Sequence, residues 1–316
     1  MKTLTLIPLL LLFFASSALA KRIKFGHMGR NFVLVLPETS KKASRPLLVL
    51  LHGCKQNPSL MLDGTMLEDE ASKNNFILLA PEQSEFSNAD HCWNWFLSFQ
   101  QQRNQYHEMG QIISAVKMVM KKNKVDPQRV FVTGISAGGA MTHNLTACYP
   151  DVFSASAIHS GLNFKVAETI SEAQTVLTSS EQKSPEYLGE KLYECGRNVK
   201  GKKLKKVLIL HGTDDARVPS LHAELISQSQ GVWRDMEDDG LRNHSARGYK
   251  TRKSSMYPNG YSVEKTDTAY QGFVEQVILV KGLGHAWGGG RPLTVNFDPK
   301  APSSSDFILK FFGLKK

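Results

Sequence analysis

The stretch RVFVTGISAGGAMT, Arg129 to Thr142, decides the fold because it places a serine between glycines directly after an apolar run. Residues 130–133 predict a buried strand, and residues 137–148 predict a helix. Gly-x-Ser-x-Gly between a strand and a helix is typical of a sharp turn that holds the serine hydroxyl above a sheet. The helix N-terminus directs backbone N–H groups toward any nearby anion. We therefore predict that Ser136 is a nucleophile.

Short apolar runs, each followed by a turn signal, recur along the whole chain. Several are continuous rather than alternating, which is typical of strands buried on both faces, and helical patterns lie between them. This alternation predicts an α/β fold with a mostly parallel sheet flanked by helices. Two polar stretches, about 163–203 and 231–268, are predicted to be strand-poor insertions over the sheet's edge. The predicted strands are 32–37, 46–53, 76–83, 129–134, 155–161, 206–212 and 273–280.

The first twenty residues have the pattern of a cleaved secretory signal. Met1-Lys2 is followed by an apolar run over 4–14 and then by Ala18-Leu19-Ala20. The apolar run is shorter than the ~20 residues that span a bilayer, so no stable membrane anchor is predicted. We expect cleavage after Ala20, a secreted or periplasmic protein, and one domain over residues 21–316 with the two insertions.

Cysteine usage and charge limit the partners of this chain. In an exported protein Cys54, Cys92, Cys148 and Cys195 are candidates for disulfides. Four cysteines allow three pairings, and their spacing does not choose among them. No Cys or His cluster has metal-ligand spacing, so neither a metal nor a cofactor is predicted. The net charge of +10 comes without a nucleic-acid motif and is read as a solvated basic surface.

A serine hydroxyl needs a base, and the base needs a group that orients it. On sheets of this kind the chain order is serine, acid, histidine. The segment HGTDDARVP offers Asp214 and Asp215 after one predicted strand, and GLGHAWGGG offers His285 after the last one. Both segments follow the carboxyl ends of strands, where such sheets carry their sites. His52 and His211 precede glycines in strand-end turns and are predicted to be structural.

The negative charge that develops on an attacked carbonyl oxygen also needs hydrogen-bond donors. One predicted donor is the backbone N–H of Ala137, directly after the nucleophile. The second is the backbone N–H of Cys54, in the loop LLHGCKQ after the third strand. We expect Cys54 to act through its position and not through thiol chemistry.

Seven short segments of the sequence, or blocks, together resemble the polyhydroxybutyrate depolymerase family of esterases. That family is related to secreted feruloyl and acetylxylan esterases. The resemblance runs from about residue 32 to 313. It implies an α/β-hydrolase fold with Ser136 as nucleophile and His285 as base, and it favours Asp215 over Asp214. It also implies that the Cys54 amide completes the oxyanion hole. The blocks are LLHGCKQNP, APEQ, CWNWF, VFVTGISAGGAMT, YPDVFSASAIHSG, HGTDDARV and GLGHAWGGG.

The same resemblance extends to the substrate site and the disulfides. It implies that Trp93, Trp95 and Trp287 belong to the aromatic residues that line the substrate groove, with core packing as the alternative for at least one of Trp93 and Trp95. Trp93 and Trp287 are the expected substrate contacts. The resemblance also favours a Cys54–Cys92 bridge, with Cys148 and Cys195 left for a second one. The chain ends at FILKFFGLKK without the linker and polymer-binding domain that extracellular depolymerases often add, which favours short soluble esters as substrates.

The function that the resemblance implies is hydrolysis of 3-hydroxybutyrate polyester or oligoester bonds through an acyl-enzyme. The first alternative is a feruloyl or acetylxylan esterase that acts on plant polysaccharide. The alternative from another class is a non-catalytic binding protein on a hydrolase scaffold, because a fold does not guarantee an activity.

Overall fold

The computed structural model describes residues 20–38, 44–179, 182–200, 204–244, 248–270 and 272–316. These residues form a 10-stranded sheet in the order β1-β2-β4-β3-β5-β6-β7-β10-β9-β8, with helices on both faces and a small two-stranded ladder, β11-β12. Residues 1–19 of the predicted signal segment lie outside the described part of the chain.

The strands of the large sheet fall into a parallel centre and antiparallel edges. The parallel centre is β4 (Ile77–Pro81), β3 (Arg45–Leu51), β5 (Val125–Ile135), β6 (Ala155–His159), β7 (Lys206–Gly212) and β10 (Phe273–Lys281). The antiparallel edges are β1 (Lys21–His27) with β2 (Arg30–Leu36), and β9 (Ser262–Tyr270) with β8 (Tyr249–Met256). All seven strands predicted from the sequence are present, and the mostly parallel sheet is confirmed.

Helices follow the strands as an α/β sequence requires, and the predicted helix after Ser136 is confirmed. The α-helices are α1 (Pro58–Thr65), α2 (Leu67–Asn74), α3 (Glu108–Lys122), α4 (Ala137–Cys148), α5 (Ile170–Val176), α6 (Pro185–Gly196), α7 (Leu221–Asp239) and α8 (Ser304–Phe312). The small ladder pairs β11 (Trp287–Gly288) with β12 (Phe297–Asp298).

The pleat of the central strands divides the core into two layers. Along β3, Leu47, Val49 and Leu51 face one layer, whereas Leu48 and Leu50 face the other. Helices α3, α4, α6 and α7 cover the first layer, and α1, α2 and α8 cover the second. Burial on both faces explains why these strands read as continuous apolar runs.

The expectation of a strand-poor insertion over 231–268 is wrong. After α7 the chain forms β8 and β9, which extend the sheet at one edge. Every residue of β8 is exposed, so its sequence, YKTRKSSM, carries no apolar alternation that could have indicated a strand. The other stretch, 163–203, forms α5 and α6 in its described residues and contains no strand there.

Two disulfides link the loops and helices of the domain. Cys54, in the loop after β3, is bonded to Cys92, and Cys148, at the end of α4, is bonded to Cys195 in α6. The expected Cys54–Cys92 pairing is therefore confirmed, and the remaining two cysteines form the second bridge. Within the described ranges, no helix combines the length and the apolar character needed to cross a membrane.

Candidate active site

Ser136 lies on the turn between β5 and α4 in a backbone conformation that side chains rarely adopt. Its φ of 60° and ψ of −126° are unfavourable for a residue with a Cβ atom. Two hydrogen bonds fix this turn: the Ser136 N–H donates to the carbonyl oxygen of His159 at 3.0 Å, and its own carbonyl accepts from Ala140 at 2.9 Å. The sharp turn predicted for the Gly-x-Ser-x-Gly segment is present.

The glycines beside Ser136 allow backbone segments to touch. A Cβ atom on Gly138 would lie 2.5 Å from the carbonyl oxygens of both Leu51 and His52, at the end of β3. A Cβ atom on Gly134 would lie 2.5 Å from the carbonyl oxygen of Gly138. Because real side chains do not fit at these distances, the nucleophile turn and the loop that carries Cys54 are in direct backbone contact.

The structure brings His285 and Asp215 together from the loops after β10 and β7. The His285 Nδ1 and Asp215 Oδ2 atoms are 2.8 Å apart, and the Asp215 side chain is fully buried. Its other oxygen, Oδ1, accepts the backbone N–H groups of Arg217 at 3.0 Å and Val218 at 2.8 Å. A second imidazole, that of His211, has its Nε2 3.5 Å from Oδ2 and 2.8 Å from the Val218 carbonyl oxygen.

These contacts determine the charge of Asp215. Burial by itself would raise the pKa of the carboxyl group, but hydrogen bonding to His211, His285 and the Val218 N–H lowers that pKa well below its ordinary value. The carboxylate can only accept, so the proton of a neutral His285 is held on Nδ1 and Nε2 is left as the acceptor. A histidine in this tautomer can take a proton from a hydroxyl group.

Asp214 has a different environment, although it is the neighbouring residue. It is exposed, and its Oδ1 accepts the hydroxyl of Thr213 at 2.7 Å. Its backbone N–H donates to the carbonyl oxygen of Leu283 at 3.0 Å. Of the two aspartates that the sequence offers, the structure brings Asp215 to His285.

Ser136 and His285 line one cleft of about 200 Å³, together with both predicted oxyanion donors, Cys54 and Ala137. Among the hydrogen bonds between described residues, none uses the backbone N–H of Cys54 or Ala137, so both donors remain available to a ligand. The other lining residues are Gly53, Gln56, Trp95, Ile135, Leu162, Leu177, Arg217, Val218 and Asn296.

The two tryptophans expected to contact the substrate, Trp93 and Trp287, do not line this cleft. Both are fully buried: the Trp93 indole N–H donates to the His52 carbonyl oxygen at 2.9 Å, and that of Trp287 donates to the Ser305 hydroxyl at 3.0 Å. The Trp287 ring also stacks on His159 with 5.0 Å between ring centroids. With the ring faces packed and the N–H groups bonded internally, the substrate role expected for them is corrected to core packing.

Three other histidines near the sheet are structural. His52, His143 and His159 are completely buried, and burial lowers their pKa values to about 4, 4 and 3, respectively. Each ring bonds to protein groups; for example, the Gln83 backbone N–H donates to His52 Nε2 at 3.0 Å. These rings are neutral at physiological pH and do not reach the cleft.

Sequence reasoning missed several residues of the cleft. Trp95 belongs to the quoted block CWNWF, so the block was correct but the wrong tryptophan was chosen. Leu162, Leu177 and Asn296 come from three separate loops, and nothing in their local sequence indicates a shared site. In the described ranges no group of three or more His, Cys, Asp or Glu residues is placed to hold a metal ion.

Comparisons with known proteins relate this chain to esterases. The sequence model of a family described as "Esterase PHB depolymerase" matches residues 30–244. The chain is 34% identical over 190 residues to poly(3-hydroxyalkanoate) depolymerase C of Paucimonas lemoignei, a match that covers 59% of this chain and 44% of that protein. It is 31% identical over 198 residues to feruloyl esterase B of Thermothelomyces thermophilus, covering 59% of this chain and 65% of that protein.

The chain thus spans less than two thirds of the length of both relatives. Among solved structures, an acetyl xylan esterase from Aspergillus awamori superimposes with a TM-score of 0.72 at 17% identity, covering 94% of this chain and 99% of that one. The superposition shows that the two proteins share the α/β-hydrolase fold.

Proposed function

Because the chain belongs to the Esterase PHB depolymerase family, we propose that it hydrolyses carboxylic esters with Ser136 as nucleophile, His285 as base and Asp215 as the group that orients the base. The observation that carries this proposal is the 2.8 Å contact between His285 Nδ1 and the buried carboxylate of Asp215, on the cleft that Ser136 lines. This arrangement has the parts of a serine-histidine-aspartate triad.

In the first half of the reaction Ser136 Oγ attacks the ester carbonyl carbon while His285 Nε2 accepts the hydroxyl proton. The carbonyl oxygen becomes an oxyanion, which the backbone N–H groups of Cys54 and Ala137 stabilise. The tetrahedral intermediate collapses, His285 returns the proton to the departing alkoxide, and the alcohol leaves. The product is an acyl ester on Ser136.

In the second half a water molecule attacks the acyl-enzyme, and His285 takes one of its protons. Collapse of the second tetrahedral intermediate releases the carboxylic acid and returns the proton to Ser136. Asp215 remains ionised throughout and stabilises the imidazolium that forms twice in each cycle. No cofactor is needed for any of these steps.

We propose a 3-hydroxybutyrate polyester or oligoester as substrate. The name of the relative with 34% identity supports this class. The apolar lining residues Trp95, Leu162 and Leu177 suit a short aliphatic acyl group. A feruloyl or acetyl ester on plant polysaccharide is the second candidate, and the relation to feruloyl esterase B favours it. Comparing turnover of 3-hydroxybutyrate oligomers with that of feruloylated and acetylated sugars separates the two.

We also propose that the protein works outside the cytoplasm, as a secreted or periplasmic enzyme. The two disulfides support an oxidising compartment, where such bonds persist. The cleavage site after Ala20 and the domain bounds 21–316 stay predictions. The proposed partner is the ester substrate, and no nucleic-acid partner is proposed.

The test is replacement of the nucleophile and the base. Ser136→Ala and His285→Ala should each lower kcat at least about 10⁴-fold, and the double variant should be barely worse because triad members act as a unit. Ser254→Ala, on the exposed strand β8, is the matched control and should keep full activity. Labelling with a fluorophosphonate should be lost in Ser136→Ala and retained in Ser254→Ala.

Near-normal turnover by Ser136→Ala would refute the mechanism. Wild-type protein that is neither labelled nor active on any ester would support the alternative of a non-catalytic binding protein.

A further inference from the structure

The charge of the cleft is unbalanced. Of the described residues that line it, Arg217 alone carries a permanent charge, and no carboxylate side chain lines the cleft. The remaining polar side chains are the amides of Gln56 and Asn296, beside Ser136 and His285. The carboxylate of Asp215 is buried behind His285 and does not line the cleft. A cationic side chain at the cleft attracts anionic ligands and repels cationic ones.

Arg217 is held in place by the same carboxylate that orients the base. Its backbone N–H donates to Asp215 Oδ1 at 3.0 Å, so the residue has a defined position relative to His285. Its side chain is exposed and forms neither an ion pair nor a hydrogen bond with any residue in the described ranges. By contrast, Arg22, Arg103 and Arg291 all pair with carboxylates.

We infer that Arg217 binds a free carboxylate that the substrate carries close to the scissile ester, an inference that rests on the proposed function. A guanidinium group binds a carboxylate through two parallel hydrogen bonds, which gives direction as well as attraction. In a hydroxyacid oligomer, the alcohol released from the last ester linkage carries the terminal carboxylate. Arg217 thereby selects the carboxyl end of short chains, and the enzyme releases one hydroxyacid unit at a time from that end.

The size and lining of the cleft agree with a short substrate. Its volume of about 200 Å³ is below the roughly 300–1,000 Å³ of pockets that hold drug-sized ligands. The apolar residues Trp95, Leu162 and Leu177 offer side-chain carbon surface to the uncharged acyl unit, which leaves Arg217 as the cationic partner for a charged end.

The experiment compares two dimers of 3-hydroxybutyrate that differ only at the terminus, one with a free carboxylate and one with a carboxamide. Wild-type protein should have the higher kcat/KM for the carboxylate dimer. Arg217→Gln should reduce this preference about tenfold, which corresponds to about 1.4 kcal/mol. Arg217→Glu should invert it. Arg252→Gln, an exposed arginine on β8, is the matched control and should leave the ratio unchanged.

A purely structural role for Arg217 would give a different result for kcat/KM on the two dimers. If Arg217→Gln lowers kcat/KM equally for both dimers, the residue acts only through the Asp215 loop and the inference is wrong. A second arm uses an O-acetylated glucuronate and its amide. An Arg217-dependent preference confined to this pair would place the carboxylate on a sugar and overturn the chain-end assignment.

Binding separates this inference from the proposed catalysis. In the Ser136→Ala background, calorimetry with the two dimers should show tighter binding of the carboxylate form, and Arg217→Gln should remove the difference. If wild-type protein cleaves neither dimer but this binding difference persists, the proposed 3-hydroxybutyrate substrate fails and the carboxylate site stands. Equal affinity for both dimers in the Ser136→Ala background would overturn the carboxylate site.

Discussion

Two buried carboxyl groups lie at opposite ends of the same pair of strands, β7 and β10, and they behave in opposite ways. Asp215 follows the carboxyl end of β7, whereas Glu275 lies near the amino end of β10, where it pairs with Val207 of β7. Both oxygens of Asp215 accept hydrogen bonds. Glu275 Oε1 accepts the Ser227 hydroxyl at 2.6 Å, but its Oε2 has no partner among the described residues.

The comparison shows that the number of hydrogen-bond donors, and not the extent of burial, decides whether these two buried carboxyl groups are charged. Burial raises the pKa of Glu275 to about 7, and the Ser227 hydrogen bond and the charges of Lys250 and Arg234 offset only part of that rise. Around Asp215 the same penalty is outweighed by imidazole and backbone N–H donors. The loops at the carboxyl edge of the parallel strands supply His285 and the backbone N–H donors, which are not used in the sheet, and His211 lies at the end of β7 itself.

The largest effect is expected when the hydrogen-bond arrangement around Asp215, at the carboxyl edge of the sheet, is broken. Asp215→Asn should lower kcat about 10⁴-fold, because an amide nitrogen facing His285 Nδ1 favours the wrong tautomer of the base. Asp214→Asn, one position earlier and exposed, is the matched control and should remain nearly fully active. Kinetics on a soluble ester at neutral pH measures both variants, and the reverse ranking would reassign the acid to Asp214.

A smaller effect is expected when either of the two disulfides is removed. Replacing either cysteine pair with serines should cost about 2–4 kcal/mol in the free energy of unfolding, since both bridges close loops of similar length, with sequence separations of 38 and 47. Only loss of Cys54–Cys92 should also lower kcat, by about tenfold, because the Cys54 N–H is then less well placed for the oxyanion.

Chemical denaturation and steady-state kinetics at a temperature where all variants are folded separate these contributions. Equal kcat losses for the two serine pairs would contradict the special role of the Cys54 loop.

The smallest effect is expected from replacing Glu275, the buried carboxyl group near the amino end of β10. The unfolded chain releases the Glu275 proton near pH 4.5 and the folded chain near pH 7, so the folded state binds more protons between these values and stability falls as pH rises through them. Glu275→Gln removes this dependence and should stabilise the protein by about 1–3 kcal/mol at pH 8, with little change at pH 4.5. Thermal unfolding at both pH values measures it.

Glu264→Gln, an exposed glutamate on β9, is the control and should show no pH-dependent gain. A Glu275→Gln variant that is less stable than wild type at pH 8 would mean that Glu275 is ionised and well paired there.

Features that depend on contacts between residues close in the sequence could be predicted, and features that depend on contacts between distant residues could not. The central strands and α4 were predictable because a strand buried on both faces is apolar throughout, and the glycines around Ser136 signal a local turn. Strands β1, β8 and β9 were missed because polar residues dominate their sequences. Every side chain of β8 is exposed, so its pairing leaves no periodic trace in the sequence, and in β1 only Ile23, Phe25 and His27 are partly buried.

The candidate site divides in the same way. Ser136, the pair Asp214 and Asp215, and His285 follow strands, so chain order was enough to select them. The choice of Asp215 over Asp214 came from the family resemblance. Trp287 was placed wrongly, because the sequence does not reveal that His159 and Ser305 from distant elements surround its ring. Leu177 and Asn296 reach the cleft only through tertiary packing.

The backbone contact between Gly138 and the end of β3 has a consequence for how such a protein can change over generations. The spacing between the Cys54 and Ala137 amides is set by main chain against main chain, and no side-chain substitution at Trp95, Leu162 or Leu177 alters it. Substitutions in the walls of the cleft can therefore change which ligand fits while the two proposed oxyanion donors keep their positions. At Gly138 itself even the Cβ atom of alanine is excluded, so that position tolerates no side chain at all.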